Sequence, residues 1–594
     1  MTAPLIVVLA LAVGQAGPIP NPVAPTPATL GMPSALPASL PASSTVGPLT
    51  TYPTTAIPNA GPGINTYGLP AGQHVFPLAN SQGLILPYDT RGANVATTTF
   101  TTSTMSDCCN AWQGDGGCGC CCFLQSLCKS YLTEFGLIKE DKDKKNGDSD
   151  KKNGEPEAKN GDKAPEPDKP ARRALPEPWS SPPFPGHEYQ GYPLVGVPPS
   201  TDVYPLMKAV YDCCPYGEEI KDSRVKLYGW ATASGNWSNA NNSNAPTSYW
   251  VVPNRYELDQ LVVRLEREPD MVQTDHIDWG FRSTGIYGQD YRYTTAGGWF
   301  SNQLLKENRL YGFDPIEQYF DVYIPWVFQG MVIRVGRWVA CPDIETQLAP
   351  DNYLGSHSIL FTFDTYTQTG AMFTFCLNEQ WMVQGAIQSG TDMAPWYVGA
   401  TPTGFFGVRW VALDNNDALY TCLNNINNAE FRHFEVDGQP AGHDNYNYLV
   451  STWEHRFNEK FHTKTEAYFM WQRDAEVGGT PSIGPVQSFG GGGGDGVLLP
   501  GTSLAYGVLN YTELAITDKD YITYRSEWYR DERGMRTGFA NNYSSFTLGL
   551  SHNFNSVFQI RPEIGWYHAY NQPAFDNGTK KDLVLYGFDM TLRF

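Results

Sequence analysis

Residues 583–594 read LVLYGFDMTLRF, and large apolar residues alternate with polar or small residues along this segment. Alternation over about ten residues is typical of a membrane-spanning β-strand with lipid on one side and water on the other. The segment therefore predicts a strand with one lipid-facing row. The apolar face carries Val584, Tyr586, Phe588, Met590, Leu592 and Phe594. The opposite face carries Gly587, Asp589, Thr591 and Arg593.

The same alternation occurs at 261–266, 521–531 and 558–570, with charged residues two positions apart on the polar face. Such segments predict an all-β fold, an antiparallel transmembrane barrel of about 16 strands within a range of about 12 to 18. They begin near residues 224, 256, 273, 316, 330, 367, 381, 404, 418, 446, 461, 503, 521, 543, 557 and 582. The candidate pore-lining residues are Arg264, Glu266, Arg334, Lys464, Glu466, Arg525, Glu527, Arg561, Glu563, Asp589 and Arg593.

Two further expectations concern the lumen. A barrel of 16 to 18 strands leaves an aqueous channel, so water is expected to fill the lumen. Arg334 and Arg337 are three positions apart, so they cannot face the same side of a regular strand. Arg337 is therefore expected beyond the end of the strand that contains Arg334. Residues 356–363 are too long and mixed for a simple turn, and an inward-folded loop is one interpretation.

A soluble β-sandwich would show the same alternation, with its apolar face inside and water outside. Aromatic residues such as Trp528 and Trp566 lie toward strand ends, as they do in the aromatic girdles of membrane barrels. The sequence also ends on a strand, with Phe594 as its last residue. Both features favour the barrel over the sandwich.

The composition excludes several classes of protein. The 594 residues include 61 acidic and 41 basic side chains, and the net charge of −20 argues against nucleic acid as a partner. With 58 Gly and 45 Pro, the chain favours short strands and turns over helical bundles. The motifs H-E-x-x-H and G-x-S-x-G and a phosphate-binding loop do not occur, so no enzyme activity and no cofactor are expected.

The first third of the chain differs from the rest. An apolar run, PLIVVLALAV, is followed by small residues and predicts an export signal, with a buried N-terminal strand as the alternative. The predicted organisation is a signal peptide at 1–16, a Pro/Ala/Thr-rich low-complexity region at 17–107, a cysteine-rich segment at 108–138, a charged disordered linker at 139–180, a Pro/Tyr-rich lead-in at 181–221 and the barrel domain at 222–594.

Seven cysteines lie within 21 residues, and two more stand together further along the chain. In an exported protein, disulfides within or between chains are favoured over a metal site, because the run CGCCC is too crowded for one tetrahedral cage. A metal remains the less favoured alternative, and the pairing is not deducible. The disulfide candidates are Cys108, Cys109, Cys118, Cys120, Cys121, Cys122, Cys128, Cys213 and Cys214.

The phrases YGFDPIEQYFDVYIP, MVIRVGRW and CPDIETQLAPDNYLGSHSILFTFDTYTQTG resemble the putative beta-barrel porin-2 (OmpL-like) family, of the kind found in Planctomycetes and other bacteria. YRSEWYRDERGMRTG and FQIRPEIGWYHAY are similar to its closing strands, and the resemblance covers residues 222–594. Cys341-Pro342-Asp343 stands where a Gly-containing turn is usual, and Glu345 matches a family position. The final strand resembles the signal read by the barrel-assembly machinery, carried here by Tyr586, Phe588, Met590, Leu592 and Phe594.

The resemblance implies a porin in the bacterial outer membrane, surrounded by outer-membrane lipid and open to passive diffusion of small hydrophilic solutes and ions. Residues 222–594 contain 41 acidic and 26 basic side chains, which favours a weak cation preference that is larger at low salt. A homo-oligomer is possible. The alternative is a structural or adhesive surface protein, anchored by the barrel and carrying a disulfide-crosslinked N-terminal extension.

The last residue offers a test of assembly. Replacing Phe594 with Asp places a charge in the outward apolar row, so we expect less folded barrel to reach the outer membrane. The measurement is the amount of heat-modifiable barrel in isolated outer membranes. Equal amounts for the variant and the unsubstituted chain would contradict the assembly role.

Overall fold

The computed structural model describes residues 118–138, 192–247, 249–301, 309–340, 343–397, 400–426, 435–436, 439–440, 447–478 and 498–594. The predicted signal peptide, low-complexity region and charged linker lie outside the described residues. So do Cys108 and Cys109, and the side chains of Cys118, Cys120 and Cys121.

Strands dominate the described chain. They are β1 (Val225–Ser238), β2 (Arg255–Arg267), β3 (Asp278–Gly288), β4 (Gly312–Ile324), β5 (Met331–Val339), β6 (Thr367–Cys376), β7 (Trp381–Gln388), β8 (Thr403–Val411), β9 (Asp417–Ile426), β10 (Glu435–Val436), β11 (Gln439–Pro440), β12 (Asn447–Asn458), β13 (Phe461–Glu476), β14 (Leu498–Ala515), β15 (Asp520–Asp531), β16 (Asn541–Asn553), β17 (Phe558–Ala569) and β18 (Asp582–Arg593). The helices are α1 (Cys118–Glu134), α2 (Pro205–Cys213), α3 (Gly217–Asp222), α4 (Tyr291–Thr294) and α5 (Ile359–Thr362).

Sixteen of these strands form one closed antiparallel barrel, which confirms the predicted fold and strand number. Each strand pairs with its neighbour in the chain order, and β1 closes the sheet on β18 with Trp230 opposite Arg593. The strands β10 and β11 pair only with each other and form a separate two-stranded sheet. Among the described helices, none is long and apolar enough to cross a membrane.

The alternation read from the sequence decides which side chains point outward. In β18, Tyr586 and Met590 are exposed on the outer face, whereas Asp589 is buried on the inner face. In β17, Ile564 and Trp566 are likewise exposed on the outside. The outer face is therefore apolar and the inner face polar, as a sheet between lipid and a lumen requires.

The two ends of the barrel differ in the length of their connections. At one end, which we call the short-turn end, connections such as residues 459–460 and 516–519 are brief. At the other, the long-loop end, residues 289–311 and 340–366 join β3 to β4 and β5 to β6. Because β1 begins and β18 ends at the short-turn end, the segment before β1 enters the barrel from that end.

A long loop lies inside the barrel. Residues 343–366 of the connection between β5 and β6, which we call the inner loop, fold inward and contact the opposite wall. Its Ile359, Leu360 and Phe361 are completely buried, and Ser358 caps α5 by accepting a hydrogen bond from the Phe361 N–H at 3.1 Å. The predicted inward segment 356–363 is part of this longer loop.

Three helices lie beside the short-turn end. A disulfide joins Cys122 of α1 to Cys213 of α2. The hydroxyl of Tyr131 donates to the backbone carbonyl of Arg593 at 3.1 Å, so α1 is also held to the barrel rim. Cys128 and Cys214 form no disulfide within the part of the chain that the structure describes. Cys214 follows the last residue of α2 and has an extended backbone conformation.

The outer face allows a test with matched substitutions. Ile564 lies in the middle of β17, and an Arg there should lower the free energy of unfolding by about 2–4 kcal/mol because the charge would enter hydrocarbon. Ile516 is similarly exposed but lies in the β14–β15 turn, where the same substitution should cost about 0–1 kcal/mol. Urea unfolding in lipid vesicles measures both. Equal losses would contradict a membrane-embedded outer face.

Candidate functional site

The lumen is the candidate functional site, and the structure places every sequence-predicted pore residue on its wall. The side chains face inward, and each residue is 8% exposed or less. They are therefore enclosed by other protein groups. These residues are Arg264, Glu266, Arg334, Lys464, Glu466, Arg525, Glu527, Arg561, Glu563, Asp589 and Arg593.

Charged side chains from β2, β3 and β4 bind one another on one side of the lumen. Arg264 Nη2 donates to Glu317 at 2.8 Å. Arg282 lies between two carboxylates and donates to Glu266 at 2.8 Å and to Glu317 at 3.3 Å. The Tyr228 hydroxyl also donates to Glu266, at 2.6 Å. Buried charges are tolerated when they are paired and hydrogen-bonded in this way.

Two arginines of β5 make the same kind of pair with β4. Arg334 donates to both oxygens of Asp321, at 2.9 and 2.8 Å. Arg337 donates to both oxygens of Asp314, at 3.1 and 3.0 Å, and is fully buried in the lumen. The placement of Arg337 beyond its strand end is therefore wrong. Gly336 has a φ of +138° and interrupts the two-residue alternation, so Arg334 and Arg337 face the same side. A Cβ at this position would lie 2.1 Å from a backbone carbonyl of β4.

Carboxylates of the opposite wall accept hydrogen bonds from the backbone of the inner loop. A loop inside a barrel must satisfy its own N–H groups, and these carboxylates replace the water that would otherwise do so. Three predicted pore residues therefore anchor the loop. The pairs are Ile344 N–H to Glu466 at 2.8 Å, Gly355 N–H to Glu563 at 2.9 Å and Ile359 N–H to Glu527 at 2.9 Å.

Arginines of the same side bind carbonyls of the loop. Their guanidinium groups offer several donors in a fixed plane, which suits a turn with several free carbonyl groups. The loop is thus held through both kinds of backbone group. The contacts are Arg525 to the Ser356 carbonyl at 2.7 Å, Arg536 to the Phe363 carbonyl at 2.9 Å and Arg561 to the Asn352 carbonyl.

The remaining predicted residues also have partners. Each of them pairs across neighbouring strands or with the segment before β1. The contacts are Arg561 Nε to Asp589 at 2.9 Å, Lys464 Nζ to Glu454 at 3.5 Å and Arg593 to the Tyr204 hydroxyl at 2.5 Å.

Glu345 anchors the inner loop to itself and to the wall. It accepts hydrogen bonds from the Ser358 N–H at 3.0 Å and from the Tyr511 hydroxyl at 2.5 Å. Its Oε1 also lies 3.3 Å from Arg525 Nη1. Glu345 is the residue that matches a family position in the sequence. Its hydrogen bond from Ser358, the N-cap residue of α5, joins the first part of the inner loop to this helix.

The inner loop also carries two neighbouring buried carboxyl groups, Asp343 and Asp364. Burial raises the pKa of Asp343 to about 7. Burial raises the pKa of Asp364 as well, and the neighbouring Asp343 adds to this effect. The Tyr448 hydroxyl donates to Asp343 at 2.5 Å. The raised pKa values of both carboxyl groups favour their protonated forms between the two ends of the loop.

His357 is a neutral member of the loop. Burial lowers its pKa to about 3, and its ring stacks on Tyr249 with ring centroids 3.7 Å apart. Its Nε2 lies 3.0 Å from the Thr346 carbonyl. Within the described residues, no three His, Cys, Asp or Glu side chains are placed to hold a metal ion.

Sequence reasoning missed several lumen charges of β3 and β4. An extra residue in β4 shifts its register against β3, with Thr284 opposite Glu317 but Ile286 opposite Asp314. A strict two-residue period started at Asp314 therefore puts Glu317 on the wrong face. Pro315 between them is the signal that could have revealed the irregularity, because proline in a sheet is confined to edges, strand starts and bulges.

The family model for the putative beta-barrel porin-2, OmpL-like family matches residues 224–594. The anion-selective porin from Comamonas acidovorans is 10% identical, with 62% of this chain and 99% of that chain covered and a TM-score of 0.39. OprB from Pseudomonas putida is 10% identical, with 64% and 96% covered and a TM-score of 0.40. OmpT from Vibrio cholerae is 10% identical, with 62% and 99% covered and a TM-score of 0.38. None of the curated proteins matches this chain.

The anchoring of the inner loop can be tested at Arg525. Arg525→Met leaves Glu345 buried without its cation, so we expect a loss of about 3–5 kcal/mol in the free energy of unfolding. The double variant Arg525→Met/Glu345→Gln should recover part of that loss. Arg530→Met, on the outer side of the same strand, is the control and should change little. Guanidinium unfolding in detergent measures all three, and equal stability of the Arg525 and Arg530 variants would refute the anchoring role.

Proposed function

This chain belongs to the putative beta-barrel porin-2, OmpL-like family, and on that premise we propose that it is an outer-membrane porin for passive diffusion of small hydrophilic solutes and ions. The observation that carries the proposal is the closed 16-stranded barrel with an apolar outside and a charged inside. A closed sheet satisfies its backbone groups without water, which allows it to stand in hydrocarbon. A soluble sandwich offers no reason for rows of exposed aromatic and aliphatic residues around its outer surface.

The inner loop supports a narrow pathway. It contacts charged groups of one wall and the Gln260 amide of the other, so a permeating solute meets polar side chains at close range. Such a constriction favours ions and small polar molecules over large ones, because partial dehydration must be offset by side-chain and backbone groups. We therefore propose a low conductance for a barrel of this size.

A weak preference for cations is part of the proposal. Among the buried residues of the described chain, 20 are Asp or Glu and 11 are Lys or Arg. Sequence reasoning had assigned the surplus carboxylates to loops and turns, and the buried excess adds a contribution from the interior. Carboxylates at the mouths act only within about 8–10 Å at physiological salt, so the preference is expected to be larger at low salt.

A second candidate is a barrel that anchors a surface or crosslinking N-terminal region. The enclosed state of the lumen charges favours it, because a sealed barrel needs no pathway. The disulfide between α1 and α2 also shows that the segment before the barrel is covalently fastened near the short-turn end. Conductance distinguishes this candidate from the porin.

The full-length protein in planar bilayers provides the test. We expect discrete steps of small conductance in KCl, and swelling of proteoliposomes with the smallest sugars only. Insertion is checked by the heat-modifiable electrophoretic shift. Correctly inserted protein that is silent at all voltages, both unsubstituted and after release of the segment before β1, would favour the anchor.

Ion preference is measured as the reversal potential across a KCl gradient. We expect a weak cation preference, and Asp321→Asn should shift it toward anions because Arg334 loses its paired carboxylate. Asp518→Asn, in an exposed turn, is the control and should have no effect at 1 M salt, where the Debye length is about 3 Å. Anion selectivity of the unsubstituted protein would overturn the cation preference.

A further inference from the structure

The segment before β1 inserts into the barrel from the short-turn end. Residues 192–203, which we call the strap, precede α2. Leu194 and Val195 of the strap are 2% and 0% exposed. Thr201 and Val203, nearer to α2, are exposed. The buried part of the strap is therefore short and apolar.

The strap covers an apolar patch on the lumen wall. Its Leu194 and Val195 pack with five inward-facing residues from five adjacent strands, β4 to β8. Each of these residues stands at or next to the short-turn end of its strand, where a water channel would have polar groups. Without the strap, the patch would face water. Its members are Tyr323, Val332, Cys376, Met382 and Val411.

Polar contacts fix the two ends of the strap. The guanidinium carbons of Arg282 and Arg334 lie 5.5 and 4.8 Å from the centre of the Tyr192 ring, and Arg282 donates to the Tyr192 hydroxyl at 3.2 Å. At the other end, the Ser200 N–H donates to Glu268 at 2.9 Å, and Lys226 donates to the Ser200 carbonyl at 2.5 Å. The strap thus continues the charged network of the wall.

The strap leads into α2, which meets the inner loop. Met207 of α2 and Leu348 of the inner loop belong to one buried apolar cluster with residues of β1 to β5. Residues of α2 and of the inner loop therefore contribute to the same apolar cluster of the wall. The Cys122–Cys213 disulfide ties α2 to α1 and so keeps the C-terminal side of the strap at the barrel.

The strap is not enclosed on all sides. A cavity of ≈ 350 Å³ lies beside it, between residues 192–202 and the side chains of Glu268, Met271 and Asp321. This space lets the strap shift without displacing a strand. The barrel sheet closes through β1 and β18, and none of its ladder bonds depends on the strap.

We propose that the strap is an intramolecular plug that narrows the channel at the short-turn end, and that its release from the apolar patch widens the pathway. The proposal rests on the porin function proposed above. It differs from a constriction by the inner loop, because the closing element lies outside the barrel sequence and enters from the opposite end.

The experiment uses the full chain with two added carboxylates in the buried part of the strap. Leu194→Asp/Val195→Asp places charges against the apolar patch, where they lack partners, and should expel the strap. Thr201→Asp/Val203→Asp adds the same charge to the exposed part of the same segment and is the matched control. Maleimide labelling of Cys376, a member of the apolar patch that is 0% exposed and forms no disulfide, reports release of the strap when it is read by mass spectrometry. Heat modifiability reports folding of the barrel.

The expected result is an unlabelled Cys376 in the unsubstituted protein and the control, labelling of Cys376 in the Leu194/Val195 variant, and a rise in the single-channel conductance of that variant of about twofold or more. Labelling of Cys376 without a change in conductance would overturn the plug. A Cys376 that stays unlabelled with both carboxylates in the strap would also overturn it, because apolar docking would then not hold the strap. Silence of the released variant and of the unsubstituted protein would instead refute the porin function.

Discussion

Closure of the sheet between β1 and β18 is the constraint on which the rest of the structure depends. The ladder runs from Ser238 opposite Leu585 to Trp230 opposite Arg593, and Gly229 and Phe594 exchange backbone hydrogen bonds of 3.0 and 2.9 Å beyond it. With no free edge, every strand can present apolar side chains to lipid. Polar side chains must then point inward, and the charge density of the lumen follows from the outer face being apolar.

The charged side chains of the inner face determine which protein segments can occupy the lumen. An apolar plug would leave the carboxylates and guanidinium groups of β13 to β17 without partners, at a high cost in free energy. The inner loop avoids this cost because its exposed backbone N–H and C=O groups bind Glu527 and Arg525, among others. At the short-turn end the wall residues of β4 to β8 are apolar, and the apolar side chains of the strap pack against them.

The two-residue alternation of the sequence predicted the number of strands and the inward orientation of Arg525, Glu563 and Asp589. It could do so because a barrel strand has only two faces and one of them contacts lipid. The prediction failed at two places where the backbone interrupts the two-residue alternation. At Gly336 the interruption points Arg337 into the lumen. Beside Pro315 the extra residue of β4 points Glu317 into the lumen. The prediction also treated lumen charges as solvated. Their partners come from neighbouring strands, from the inner loop and from the strap. Contacts with the loop and the strap span long sequence separations and leave no periodic signal in the strand itself.

The two insertions differ in how readily they can leave the lumen. The inner loop is bound by directional, charge-assisted hydrogen bonds to several strands, so moving it would expose buried ions and unpaired backbone groups together. Leu194 and Val195 are held by non-directional apolar packing, with a cavity alongside. Withdrawing them leaves no buried charge of their own unpaired. The difference in bonding therefore assigns the moving part to the strap and the fixed constriction to the inner loop.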